Sequence, residues 1–233
     1  MKVSIVIPTL NEEKILGKSL NSIANQSTGQ DVELIIVDSY STDRTLEIAR
    51  EFTKKIYSVP PGIIGRARQK GSEMANGEII ISAGADNIYD KNWLDELIAP
   101  IALKNNVASA GKLLPLEGNF IENSFSEYFL SPAYCMSLKL GIPLIAGESM
   151  AFSKDAFSKV HGYNLDLVTH EDTDLFKRLM GVGKVSFCPK SITYVSTRRI
   201  RKWGYAKYLW FHGSNFFTLH FFGKSHQQYE AVR

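Results

Sequence analysis

The chain lacks the cysteine content of a disulfide-stabilised or zinc-stabilised protein. Its 233 residues include two cysteines, Cys135 and Cys188, with no C-x-x-C spacing and no Cys/His cluster. We therefore expect two reduced thiols in an intracellular protein. A strong excess of one charge is also missing, because the net charge is +3. Such a balance does not favour a nucleic-acid partner, and we predict none.

Long hydrophobic runs are scarce. After Met1 and Lys2, the first apolar run ends at Pro8, which makes it too short for a secretory signal peptide. We expect the protein to be cytoplasmic.

A glycine-rich phosphate loop is absent from the place where a dinucleotide-binding domain carries one. Such a domain has G-x-G-x-x-G after its first strand. This chain instead reads Pro8-Thr9-Leu10-Asn11-Glu12-Glu13. Acidic side chains at the position where a pyrophosphate would bind weigh against NAD, FAD and P-loop chemistry.

What is present is an alternation of strands and helices typical of an α/β fold. Apolar periodicity and turn residues predict four strands, at 3–7, 33–37, 56–59 and 78–82. They also predict three helices: one at 12–23, one that begins after Thr42 as its N-cap, and one at 64–75. This βαβαβαβ order implies right-handed crossovers and a mainly parallel, Rossmann-like central sheet with flanking helices. The length suits one domain with a short C-terminal tail.

Two aspartates follow buried strands of this predicted sheet. Asp38 comes directly after the second strand and Asp86 shortly after the fourth. Because ligands of open α/β sheets bind beyond the carboxyl ends of the strands, we expect both to border one cleft. Asp38 could accept a hydrogen bond from a base or ribose, and Asp86 could hold a divalent cation on a nucleotide diphosphate.

Several segments together resemble the nucleotide-binding half of family 2 glycosyltransferases with the GT-A fold. They are VSIVIPTLNEE at 3–13, VDSYSTDRT at 37–45, ARQKG at 67–71 and NGEIIISAGAD at 76–86. The acceptor-side pattern of that family follows in the same order, as AGESMAF at 146–152, VHGY at 160–163 and EDTDL at 171–175. The resemblance covers about residues 2–203. It implies a catalytic domain at 1–197, with a nucleotide-binding half at 1–90 and an acceptor half at 91–197, and a tail at 198–233.

The resemblance also implies roles for single residues. Asp38 matches the aspartate that binds the nucleotide base, usually uracil. Asp86 ends the D-x-D signature and matches the ligand of Mg²⁺ or Mn²⁺ on the diphosphate. Ala85, the middle residue of that signature, is expected to contact the donor as well. Asp172 matches the catalytic base of inverting members. The remaining matches are donor contacts: Pro8, Thr9 and Glu12 beside base and ribose, and Arg68 near the nucleotide.

The chain departs from the family pattern most clearly at Gly84, which occupies the first position of D-x-D. With one carboxylate fewer, a cation would depend on Asp86, the diphosphate oxygens and water, which Mg²⁺ tolerates. Metal dependence is therefore open.

Each aspartate also has a purely structural interpretation. Asp38 and Asp86 could each shape a turn. Asp172 could satisfy a helix end, because Thr169 precedes it at the spacing of a capping box.

The tail combines positive charge with aromatic residues. Four cations stand at 198–202, where Arg198 or Arg199 could clamp the diphosphate and a solvated basic face is the alternative. Nine of the twenty residues at 203–222 are aromatic, and we expect Gly213-Ser214-Asn215 to interrupt the helix there. Packing on the domain, a homodimer contact and peripheral insertion at the cytoplasmic membrane face remain alternatives.

Together these features imply transfer of a sugar from a nucleotide sugar, with UDP-sugar as the expected donor, to a glycan, polyprenyl-phosphate lipid or protein hydroxyl. The alternative is a catalytically weak or inactive GT-A domain that binds nucleotide or membrane in an assembly role. Gly84 is the feature that suggests this alternative.

Overall fold

The computed structural model describes residues 1–103 and 105–225. The first half alternates strands and helices as predicted: β1 Lys2–Thr9, α1 Leu16–Ala24, β2 Asp31–Asp38, α2 Thr45–Phe52, β3 Ile56–Ser58, α3 Ile64–Met74 and β4 Ile79–Ala83. The second half is less regular: β5 Ile88–Tyr89, α4 Trp93–Ala102, β6 Ala108–Pro115, α5 Phe120–Phe125, a π-helical turn Ser126–Leu130, α6 Ser131–Lys139, β7 Ser149–Ser153, α7 Lys154–Lys159, α8 Glu171–Met180, β8 Val185–Val195, α9 Arg198–Trp203 and α10 Tyr205–Phe222.

One sheet connects both halves. Within the described residues it has eight strands in the order β3-β2-β1-β4-β7-β6-β8-β5. The first four strands of the chain are parallel, as predicted. β7 then pairs antiparallel with both β4 and β6, and β5 pairs antiparallel with β8, so the complete sheet is mixed.

The sheet is buried on both faces. Ile5 and Ile7 point to one face, where they pack with residues of α1 and α4. Val6 points to the other face, where it packs in a second core with residues of α3 and α8. This alternation explains why the strands are continuous apolar runs. It also places the loops after β1, β2 and β4 at one edge of the sheet.

Two helices begin later than predicted, because the loops before them bind each other. The Glu12 backbone N–H donates to Thr45 Oγ1 at 2.7 Å, and α1 begins only at Leu16. Thr42 does not cap α2. Its N–H donates to Asn11 Oδ1 at 2.8 Å, and the helix begins at Thr45.

The predicted interruption of the tail helix at Gly213-Ser214-Asn215 is wrong. α10 is continuous, because Ser214 Oγ and Asn215 Nδ2 both donate to the Phe211 carbonyl of the same helix, at 3.1 and 3.0 Å. Before the helix, Gly204 has a φ of 77°, which a glycine adopts without strain and which separates α9 from α10. None of the helices within the described ranges has the length and hydropathy to cross a bilayer.

Candidate active site

Asp38, the predicted base-binding residue, ends β2 and holds the following loop through hydrogen bonds. Its side chain is fully buried. Oδ1 accepts hydrogen bonds from Thr9 Oγ1 at 3.0 Å and Ser41 Oγ at 2.6 Å, and Oδ2 accepts one from the Ser41 N–H at 2.8 Å. The structural interpretation of Asp38 as a turn residue is therefore confirmed. A contact with a nucleotide base would use the remaining lone pair of Oδ2 and stays a prediction.

An arginine from the tail joins two carboxylates of the donor side. Arg198 donates from both terminal nitrogens to the buried carboxylate of Glu12, at 2.7 Å each. The same guanidinium lies 3.1 Å from Asp86 Oδ2. The structure thus brings together three predicted site residues that lie far apart in the chain. A positive charge stands beside Asp86, where the diphosphate and its cation were expected.

The space beside Gly84 is filled by neighbouring side chains. A Cβ at Gly84 would clash with Asn87 Nδ2 and would lie 3.2 Å from Glu148 Cγ. The Gly84 N–H and carbonyl are both bonded to the Tyr89 hydroxyl, at 2.7 and 3.0 Å. This part of the cleft is therefore built around a glycine, and the missing D-x-D carboxylate has left no empty site.

The predicted catalytic base, Asp172, lies in the first turn of α8. Its Oδ2 accepts from the Gly147 N–H at 2.6 Å and its Oδ1 from the Thr173 N–H at 2.7 Å. The capping-box alternative is wrong, because His170 is the N-cap residue and Thr169 Oγ1 bonds to Asn215 instead. The Asp172 side chain is 16% exposed, so it is not fully enclosed by the protein.

Arg68 does not extend toward the Asp38 loop. Its buried guanidinium forms an ion pair with Glu171 and lies 3.6 Å from Asp172 Oδ2. A Cβ at Gly147 would clash with this guanidinium, so the glycine is needed for the approach. Arg68 therefore positions the acceptor-side carboxylates, and its predicted contact with the nucleotide remains untested.

The remaining predicted donor contacts are less directly placed. The Ala85 side chain packs in the core beneath the sheet edge, so this residue could meet a ligand only through its backbone. Pro8 is partly buried at the end of β1. The Arg199 guanidinium lies 5.6 Å from the centroid of the Trp203 ring, and its charge acts on Glu148.

Glu148 is a cleft carboxylate that the sequence analysis did not single out, although it lies inside the AGESMAF segment. Burial, and then the negative charge of Asp86, raise the pKa of Glu148 to about 7. The charge of Asp172 also contributes to this shift, and the residue before Glu148, Gly147, donates its N–H to Asp172. No periodicity marks such a residue, because it lies in a loop before β7.

A divalent cation would have one predicted protein ligand here. Within residues 1–103 and 105–225, no group of three or more His, Cys, Asp or Glu side chains is arranged to hold a metal ion. Asp86 is partly exposed and could serve as a single ligand, with diphosphate oxygens and water completing the coordination, as Mg²⁺ allows. A cation bound in this way would have to displace or share the contact with Arg198.

The mixed sheet with carboxylates at its edge is the fold of GT-A nucleotide-sugar transferases. It matches S. aureus TarS 1-349 in complex with UDP-GlcNAc with a TM-score of 0.69 at 21% identity, covering 85% of this chain and 59% of TarS 1-349. The mannosyltransferase PcManGT from Pyrobaculum calidifontis, in complex with GDP-Man and Mn²⁺, matches with a TM-score of 0.72 at 18% identity, covering 94% and 62%. At these identities the likeness shows the fold alone.

The family follows from the sequence match. Residues 4–160 match the model described as Glycosyl transferase family 2, and the chain belongs to this family, as the resemblance predicted. Probable glycosyltransferase YdaM of Bacillus subtilis (strain 168) is 27% identical over 94% of this chain and 57% of its own length. Dolichol-phosphate mannosyltransferase of Pyrococcus furiosus is 29% identical over 62% of this chain and 42% of its own length. The chain thus spans about half the length of these relatives.

Proposed function

We propose that the protein is an inverting glycosyltransferase that moves a sugar from a nucleoside-diphosphate sugar, with UDP-sugar as the first choice, to an acceptor hydroxyl. The observation that carries the proposal is the loop Gly147-Glu148. Its amide holds Asp172, and its carboxylate lies beside Asp86 and Gly84. The expected donor and acceptor groups therefore border one cleft.

In the proposed reaction, Asp172 accepts the proton of the acceptor hydroxyl as that oxygen attacks the anomeric carbon. The new C–O bond forms as the bond to the diphosphate breaks, which inverts the anomeric carbon. In this proposal Arg198 stabilises the charge of the departing nucleoside diphosphate, and its distance of 3.1 Å from Asp86 Oδ2 supports that role. A cation on Asp86, when bound, would supply further positive charge to the same oxygens. Support for it comes from the fold relative PcManGT, whose structure holds Mn²⁺ with GDP-Man.

The remaining assignments are part of the same proposal. Pro8, Thr9, Glu12, Asp38 and the Ala85 backbone border the nucleotide, and the halves 1–90 and 91–197 bind donor and acceptor. The acceptor is a glycan, a lipid-linked sugar or a protein. The tail begins at residue 198, and its last residues, 226–233, lie outside the described part. A cytoplasmic location and a homodimer both stay predictions.

The first test is calorimetric binding of UDP, GDP and dTDP, each with and without Mn²⁺, to the wild type and to Asp86→Ala. We expect one nucleotide to bind more tightly with Mn²⁺, and Asp86→Ala to lose that difference. Asp155→Ala is the matched control, because Asp155 is an exposed aspartate on α7 that forms an ion pair with Lys159, away from the predicted site residues. Equal binding with and without Mn²⁺ would contradict the metal, and no nucleotide binding would contradict the donor site.

Two observations favour a second candidate function. Arg198 lies beside Asp86, where the cation is expected, and side chains of Asn87 and Glu148 fill the space beside Gly84. This second candidate is a GT-A domain that binds nucleotide in an assembly role and has little activity of its own. Nucleotide binding without release of free nucleoside diphosphate from UDP-GlcNAc or GDP-mannose, across a broad acceptor panel, would favour it. Turnover that depends on Asp172 would contradict it.

A further inference from the structure

The last described helix, α10, is buried on one side and exposes apolar side chains on the other. Asn215 and Leu219 on α10 face the domain and are buried, and Thr169 donates to Asn215 Oδ1 at 3.1 Å. Packing on the domain, one of the three alternatives for the tail, is therefore confirmed for the side of α10 that carries Asn215 and Leu219. The opposite side exposes large apolar side chains to solvent, at Leu209, Trp210, Phe217 and Phe221. Exposed patches of this kind usually mark a surface with a partner.

A second run of exposed apolar residues lies on the segment from α5 to α6. Phe120, Ile121, Tyr128 and Phe129 are each at least 69% exposed. No sequence pattern marks this segment, because it has no regular apolar periodicity and its π-helical turn shifts the helical register.

The two runs lie beside each other. At one end, Arg201 forms an ion pair with Glu122 of α5 at 2.8 Å, and the Tyr205 hydroxyl also donates to Glu122. At the other end, His220 Nε2 lies 3.4 Å from the carbonyl oxygen of Pro143, just beyond α6. The exposed sides of α5, the π-helical turn, α6 and α10 are thus neighbouring parts of one surface, which we call the apolar face.

Positive charge borders this face. Between residues 120 and 142 the two acidic side chains, Glu122 and Glu127, are ion-paired with Arg201 and Lys112, at 2.8 Å each. Residues 198–225 contain six Lys or Arg and no Asp or Glu. Exposed aromatic residues next to a basic border are what an interfacial protein presents to anionic headgroups.

The apolar face also lies next to the acceptor side of the cleft. Asn215 of α10 accepts a hydrogen bond from Thr169, and the His212 ring lies 5.7 Å from the His170 ring. Thr169 and His170 directly precede α8, whose first turn carries Asp172. α10 therefore packs against the end of α8 that carries the expected catalytic base. A surface that covered the apolar face would lie where an acceptor enters.

We propose that the apolar face docks on a lipid bilayer that carries anionic headgroups, and that docking brings the acceptor side of the cleft to the membrane surface. Docking requires neither donor nor turnover, so its test is independent of the proposed sugar transfer. The substrate class that fits this geometry is an acceptor held in the membrane.

A second copy of the chain is the other occupant that the apolar residues alone would allow. A symmetric dimer through this face would bring the same patch of both copies together, including the basic borders of residues 198–207. Like charges at such a contact repel each other, whereas anionic headgroups neutralise them. The charge pattern therefore favours the bilayer.

The test is sedimentation of the full chain with vesicles of phosphatidylcholine alone or mixed with phosphatidylglycerol. We expect binding to the anionic vesicles, weaker binding to the neutral ones, and partial release by added salt. A wild-type protein that does not sediment with anionic vesicles would overturn the proposal.

Paired substitutions locate the contact. Phe120→Ser with Tyr128→Ser, and separately Trp210→Ser with Phe217→Ser, should each lower partitioning about 100-fold, because each large apolar side chain contributes about tenfold. Leu103→Ser is the matched control, since Leu103 is exposed but follows α4, which packs on the opposite face of the sheet from α6. Thermal unfolding verifies that all variants fold. Wild-type binding by both paired variants would refute the assignment.

Trp210 provides a direct readout. It is 76% exposed, and its emission should shift to shorter wavelength on anionic vesicles. Trp210→Phe should lose most of this shift but still bind. Binding without any shift in the wild type would place the contact elsewhere. A concentration-dependent dimer that the paired substitutions disperse, in a protein that ignores vesicles, would assign the face to a second copy instead.

Discussion

The donor half and the rest of the chain hold their cleft residues in different ways. On the donor side, Asp38 is held by Ser41, three residues along the chain, and by Thr9 on the neighbouring strand. On the acceptor side, Arg68 reaches Glu171 across 103 positions. Arg198 reaches Glu12 across 186 positions.

Charged side chains therefore matter more for the acceptor side and the tail than for the donor loops. Hydroxyls and amides of adjacent loops close the donor side, and such bonds are individually modest. The guanidinium groups of Arg68 and Arg198, which are buried or partly buried, join the acceptor side and the tail to the donor side. Removing one partner of a buried ion pair lowers the free energy of unfolding strongly. The acceptor side should therefore respond more strongly to single substitutions than the donor loops do.

The largest expected effect is on catalysis at Asp172. Asp172→Asn keeps the shape of the side chain and removes its basicity, so turnover should fall about 10²–10⁴-fold while the fold is retained. The measurement is release of nucleoside diphosphate from whichever donor the binding test identifies. Asp155→Asn, on the exposed surface of α7, should leave the rate unchanged. A fully active Asp172→Asn variant would remove the residue from this role.

The buried pair gives the largest expected effect on stability. Arg68→Met leaves Glu171 buried without its partner and should lower the free energy of unfolding by about 3–5 kcal/mol, as measured in urea. Arg68→Met combined with Glu171→Leu should recover much of the loss. Lys159→Met, which breaks an exposed pair, should cost less than about 1 kcal/mol. Equal costs for Arg68→Met and Lys159→Met would show that the buried pair contributes no more to stability than an exposed one.

The same contrast explains what the sequence could predict. Periodicity marks β1 to β4 because each strand is buried on both faces, and parallel order then places Asp38 and Asp86 at one edge. The family resemblance identified Asp172. These features are local, or follow from the order of elements.

The rest depends on contacts between distant residues. Nothing in the local sequence pairs Arg198 with Glu12, or Arg68 with Glu171, because ion pairs have no periodicity. The continuity of α10 was missed for a related reason. Side chains of Ser214 and Asn215 usually compete with a helix, but here they bond back to Phe211 and Asn215 is buried against the domain.

The Gly84 position offers a test of the donor side. Gly84→Asp would restore the first D-x-D carboxylate, but its Cβ would clash with Asn87, so we expect a loss of about 1–3 kcal/mol in the free energy of unfolding. Adding Asn87→Ala should relieve part of that cost. Gly29→Asp is the control, because a Cβ there meets no atom within 4 Å. If Gly84→Asp were as stable as the wild type, the donor side would be looser than these contacts indicate.

The smallest expected effect is on how the free energy of unfolding depends on pH through His212, in the tail helix α10. Burial, and then the charges of His170 and Arg199, lower the pKa of His212 on α10 to about 4, from an ordinary value of 6.5. At His212, the unfolded chain binds more protons than the folded one between these pH values. The contribution of His212 to stability should therefore fall as the pH drops from about 6.5 toward 4, by about 1–2 kcal/mol at pH 5. Glu148, whose pKa is raised in the folded protein, contributes with the opposite sign, so the His212 contribution is measured as the difference between the wild type and a variant.

His212→Phe should remove this part of the acid sensitivity, because phenylalanine keeps the contact with the Tyr208 ring and cannot be protonated. The measurement is urea unfolding of the wild type and the variant at pH 7.5 and pH 5. His161→Gln, at an exposed position, should keep the wild-type sensitivity. If the stability of His212→Phe and of the wild type changed by the same amount between pH 7.5 and pH 5, the acid sensitivity would not come from His212.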